Sequence, residues 1–102
     1  MPKNMTELHV PLFFPSLWAW LDLGAIKNSF SDFVGAQDAW MFATKIYPEH
    51  TAAYANLGQL YWHNIVNYSK AEVMFLKVIE LDPAAVGTYK VQYVLSAANP
   101  AF

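Results

Sequence analysis

Large apolar side chains recur along this chain at matched positions. Trp20 pairs with Tyr54, Leu23 with Leu57 and Gly24 with Gly58, each 34 residues on. Beyond these the spacing becomes 35: Ala36 pairs with Ala71, Trp40 with Phe75, Ala43 with Val78, Ile46 with Leu81 and Pro48 with Pro83. Eight pairs of like chemistry mark an internal duplication. One residue is inserted between Gly58 and Ala71, and the turn-forming residues put it at Asn64–Asn67.

The pattern predicts helices over 16–28, 31–46, 51–65, 69–81 and 85–97. Pro48 and Pro83 end the second helix of each unit. Ser69-Lys-Ala-Glu72 has the form of a capping box opening the fourth helix. Gly24 and Gly58 fall inside helices, where glycine costs about 1 kcal/mol against alanine. That cost is accepted where a neighbouring helix comes close. Ala36 and Ala71 are expected across the contact, with Trp40 and Phe75 filling space one turn on. Residues 1–15 read as an extended apolar tail punctuated by Pro2, Pro11 and Pro15, and residues 98–102 as a short C-terminal tail.

This arrangement resembles the tetratricopeptide repeat, a helix–turn–helix unit of 34 residues. The second copy carries the pattern as Tyr54, Leu57, Gly58, Tyr61, Ala71, Phe75 and Pro83. The first carries Trp20, Leu23, Gly24, Ala36, Trp40, Ala43 and Pro48, with Lys27 where an aromatic is usual. Tyr89 follows Pro83 as Tyr54 follows Pro48, which suggests a further half repeat. The resemblance implies an all-α domain over 16–97, built from antiparallel helix–turn–helix repeats stacked as an α-solenoid. The repeats would be about 17–50 and 51–85, with a terminal helix over about 85–97, five helices in all.

In that family the first helix of each unit lines a concave groove for an extended peptide or another helix. Carried over by position, the groove here would use Trp18, Leu21 and Ala25 from the first helix. Ala55, Gln59, Trp62 and His63 would come from the third. Trp18 and Trp62 match no repeat core position, which makes them candidate anchors. Some members grip a partner's terminal carboxylate with Lys and Asn. Asn56 matches one such position, but Leu21, Ala25, Gly87 and Val91 stand where the cations would be, so carboxylate capture is not expected.

Composition sharpens the picture. The chain has 102 residues, the size of one small domain. Its formal net charge is −2 with six Lys plus Arg, which excludes the basic footprint of a nucleic-acid binder. Hydrophobic residues make up 56% and charged residues 14%, against roughly 45–50% and about 25% in typical soluble domains. So much apolar material in so short a chain predicts an apolar outer surface that meets a partner. The longest apolar stretch, residues 10–26, is broken by Pro11, Pro15 and Asp22 and makes a poor membrane span. Lys3 is offset by Glu7 and no Ala-x-Ala site follows, so no signal peptide is expected and a cytoplasmic location is favoured.

Catalytic chemistry is not indicated. With no cysteine there is no thiol nucleophile, disulfide or thiolate zinc site. His9, His50 and His63 lack metal-ligand spacing, and a lone His9 in an apolar tail is too little to hold a pigment or haem. Neither a metal nor a cofactor is expected. Asp22 falls in the first helix, while Asp32 and Asp38 lie around the start of the second, where acids complement the helix dipole. Ser16, Ser29, Ser31, Ser69 and Ser96 lie near predicted helix ends, where serine caps.

The expected function is therefore non-enzymatic: a small scaffold or adaptor subunit that binds a protein, or copies of itself, within an assembly. One alternative is a self-assembling structural subunit forming a filament or ring. Another is a peripheral subunit or assembly factor of a membrane complex. Repeat arrays need polar terminal caps. Here Val91, Val94 and Leu95 give the last predicted helix a second apolar face, and Leu12, Phe13 and Phe14 do the same at the other end. These six residues are the expected assembly interface.

Overall fold

The structure is a computed structural model that describes residues 16–85. Four α-helices follow one another: α1 (Leu17–Ser29), α2 (Phe33–Ile46), α3 (Thr51–Leu60) and α4 (Tyr68–Leu81). The third continues as a single π turn over Tyr61–Ile65, and a 3₁₀ turn over Pro83–Ala85 follows α4. No strand occurs among the described residues. The fifth predicted helix, apart from Ala85, both tails and the six expected assembly residues lie outside the described residues.

Helix starts are set by side chains that take up free backbone N–H groups. Ser16 accepts from the Ala19 N–H at 3.4 Å, and Asp32 accepts from Gly35 at 2.9 Å. His50 Nδ1 accepts from Ala52 at 3.4 Å. The cap of α4 differs from expectation: Asn67 Oδ1 accepts from the Lys70 N–H at 3.1 Å. Ser69 and Glu72 therefore sit inside the helix, and the capping box is not formed. An Asx side chain one residue before the helix reaches the orphan donors first, which leaves Ser69 no free N–H to take.

Helix ends follow the prolines. Tyr47 and Asp82, each just before a proline, adopt φ −126°, ψ 68° and φ −139°, ψ 86°, outside the helical region. The duplication extends to the backbone of the turns. Ser31 (φ 61°) and Val66 (φ 59°) are both left-handed, and each precedes an N-cap, Asp32 or Asn67. These pairs are 35 residues apart, whereas the caps Ser16 and His50 are 34 apart. The inserted residue thus enters before Val66, in the π turn over Tyr61–Ile65, which overlaps the expected Asn64–Asn67 segment at Asn64 and Ile65. An extra residue inside a helix widens one turn, which is how π bulges arise.

Each helix packs on the next, α1 on α2, α2 on α3 and α3 on α4. Leu17, Leu21, Ala36, Trp40, Ala43, Ala53, Leu57, Leu60, Tyr61, Ala71 and Phe75 form one buried cluster. The two helical glycines make this possible, though the contact differs from the one expected. A methyl group at Gly24 would overlap the Trp40 indole, and one at Gly58 the Phe75 ring. The aromatic rings themselves lie over the glycines, not one turn away. Trp40 Nε1 donates to the Leu21 carbonyl at 3.1 Å, so its buried N–H is satisfied across the α1–α2 contact.

Candidate functional site

Between α1 and α3 lies a cavity of about 390 Å³. Ala25 and Asn28 of α1, Trp40 of α2, and Asn56, Gln59 and His63 of the third helix line it, together with Leu60 and Asn64. On the third helix these positions are 56, 59, 60, 63 and 64, one continuous stripe at helical spacing. Five of the eight lining residues carry an amide or imidazole and none carries a fixed charge. The buried Asn28 Oδ1 has no hydrogen-bond partner. Trp40, held by its bond to Leu21, supplies an apolar wall.

Ala25, Gln59 and His63 line the cavity together. Leu21 does not: it is 7% exposed and belongs to the core cluster. Ala55 is half-buried outside the lining. Trp62 also turns away. Its ring lies 4.8 Å from the Tyr68 ring, tilted by 56°, and it packs against the core. The stripe that lines the cavity is 56, 59, 60, 63 and 64, so of the expected 55, 59, 62 and 63 it keeps Gln59 and His63 and takes Asn56 in place of Ala55. Trp18 is 64% exposed, and its ring meets the His50 ring edge-on at 6.0 Å, away from the cavity. Asn28 and Asn64 were missed, although Asn28 stands three residues after Ala25, on the same face.

Other polar groups are engaged in structure. The Tyr61 hydroxyl donates to Gln37 Oε1 at 2.6 Å, bridging the third helix to α2. Burial, reinforced by the negative charge of Asp38, raises the Tyr61 phenol above its ordinary value. Ser29 Oγ donates to the Ile26 carbonyl at 2.6 Å, and Lys27 pairs with Asp32 at 3.6 Å. Among the described residues no three His, Cys, Asp or Glu side chains group as a metal site. No described helix is long and apolar enough to cross a membrane. Amide side chains both donate and accept, so the cavity suits a neutral partner with alternating donors and acceptors.

No known protein family, curated protein or solved structure matches the chain.

Proposed function

We propose that this chain is a small interaction module of tetratricopeptide-like design, and that the amide-lined cavity between α1 and α3 holds an extended segment of a partner protein. The observation that carries the reading is the cavity's chemistry: Asn28, Asn56, Gln59 and Asn64 around an apolar Trp40 wall. A peptide backbone presents one N–H and one C=O per residue, and carboxamides match both. The paired turns and caps 35 residues apart support stacking of like units, as in an α-solenoid. Function in this reading is adhesion within an assembly, with no chemistry performed.

Selection of unstructured peptides on the full chain tests this. Peptides that bind should lose about tenfold in affinity with Asn56→Ala and with Asn28→Ala, the loss of one well-placed hydrogen bond. Helicity should be unchanged, and affinity should depend weakly on salt because no fixed charge lines the cavity. Selected peptides whose affinity ignores both substitutions would overturn the proposal.

A further inference from the structure

The duplication permits an internal comparison that ordinary monomers do not offer. In the second unit, Leu57 is 1% exposed, on a helix against which α2 packs. Its counterpart in the first unit, Leu23, is 38% exposed. Beside Leu23, the residues Trp20, Lys27, Asp38 and Phe42 border a cavity of about 380 Å³ on the outer side of α1 and α2. This face of α1 is therefore the position that α2 covers on the third helix.

The chain also shows what such a covering helix looks like. On α2, Gln37 accepts from the Tyr61 hydroxyl at 2.6 Å, and the Met41 sulfur lies 4.0 Å from the same oxygen. At the other end of the contact, the Tyr54 hydroxyl donates to the Pro48 carbonyl at 2.8 Å. By the repeat spacing, Tyr61 corresponds to Lys27 and Tyr54 to Trp20, each 34 residues earlier. Gln37, Met41 and Pro48 correspond to Glu72, Leu76 and Pro83, each 35 residues later. Substituting these counterparts turns the neutral Tyr61–Gln37 pair into a complementary charge pair, in which Glu72 would join Asp32, 3.6 Å from the Lys27 ammonium in its own chain, as a second carboxylate on Lys27. Leu76, 44% exposed on α4, replaces Met41. By the same register, the Pro83 carbonyl stands in the place of the Pro48 carbonyl and Trp20 in that of Tyr54.

We propose that a second copy of this chain covers the outer face of α1, its α4 packing there as α2 packs on the third helix, with Glu72 of one copy paired to Lys27 of the next. The contact joins two different surfaces, so it is heterologous and propagates head to tail. It uses a face separate from the cavity between α1 and α3 and does not depend on what that cavity holds.

Sedimentation velocity on the full chain across a concentration series reads the proposal. The wild-type chain should grow in mass with concentration. Lys27→Glu and Glu72→Lys should each weaken self-association about tenfold or more, since each places like charges together at the junction. Both residues lie at the surface or partly so, and circular dichroism should show unchanged helicity. Mixing the two single variants should restore growth, because every junction in an alternating array again pairs Lys with Glu. The double variant should assemble by itself. A chain that stays monomeric at all concentrations overturns the proposal; residues 86–102 or 1–15 covering these faces would give that result. So does a closed dimer that responds to Lys27→Glu but not to Glu72→Lys, which would mean that two α1 faces meet each other. Single variants that assemble as the wild type does refute it equally.

Discussion

Replacing Gly58 by alanine sets two physical effects against each other with opposite signs. Gly58 lies within α3, where alanine is favoured over glycine by about 1 kcal/mol. Propensity alone therefore predicts a more stable protein. The structure predicts the reverse. The added methyl would fall inside the Phe75 ring, with three ring atoms all within 2.9 Å. Phe75 is 0% exposed and has no open side to retreat into. Relief requires α3 and α4 to separate or the ring to leave its rotamer, and overpacking of this kind costs about 1–3 kcal/mol. Set against the propensity gain, the net is a loss of up to about 2 kcal/mol.

Urea denaturation followed by helical circular dichroism measures this directly, with midpoint and slope read separately. A fall in midpoint with an unchanged slope is the expected result. Phe75→Leu costs stability alone through lost packing, but it vacates the space above Gly58. The pair should therefore couple: the double variant should be more stable than the sum of the singles predicts, by about 0.5–3 kcal/mol. Gly24→Ala should be worse than Gly58→Ala, because the ring it displaces is Trp40, whose N–H would lose the Leu21 carbonyl. A Gly58→Ala variant that is more stable than the wild type, or strict additivity with Phe75→Leu, would refute the claim that these glycines exist for close approach.

Three further outcomes follow. Val66 is β-branched yet left-handed at φ 59°, a conformation that costs an L-residue about 1–2 kcal/mol, so Val66→Gly should raise the urea midpoint by roughly 0.5–1 kcal/mol of stability. Asn67→Ala should cost about 1 kcal/mol by removing the cap on Lys70, while Ser69→Ala should be nearly neutral; the opposite ranking would restore the capping box. The Tyr61 phenol is held above its ordinary value of 10.0, so the folded state keeps its proton longer than the unfolded chain does. That stabilisation is complete below about pH 10 and is lost as pH rises through the folded-state value, so alkaline titration should show an unfolding component absent in Tyr61→Phe.

Most of the helical architecture was legible because its determinants are local. Proline ends a helix whatever surrounds it, and the stops at Ile46 and Leu81 fell two residues before Pro48 and Pro83 as the sequence implied. Starts were less legible where two capping residues compete. Asp32 and Asn67 occupy equivalent turns, yet Ser69 with Glu72 offered a plausible motif two residues later, and only the backbone decides which side chain meets a free N–H first. The groove was harder still. The expected positions 55, 59, 62 and 63 and the observed 56, 59, 60, 63 and 64 share Gln59 and His63 and differ by a small rotation of the same helical period. The large side chain of Trp62 favoured the first by suggesting an anchor. In the structure Trp62 packs against Tyr68 and the core and does not line the cavity.

The inserted residue connects these observations. A repeat read from sequence alone assigns an insertion to the most loop-like segment, and Asn64–Asn67 has that composition. Its last two residues, Val66 and Asn67, could not absorb it. The left-handed residue and the N-cap must follow one another directly in both units, as Ser31 with Asp32 and Val66 with Asn67 do. A residue added between them would break the turn that reverses the chain. Added one turn earlier, it widens the helix at Tyr61–Ile65 and leaves the turn intact. The Tyr61 carbonyl then accepts from both the Val66 and Asn67 N–H groups, the latter at 2.8 Å, which closes the wide turn. His63 and Asn64 belong to that turn, and they also line the cavity. The second unit therefore differs from the first at the cavity lining, while the turn geometry is kept the same in both.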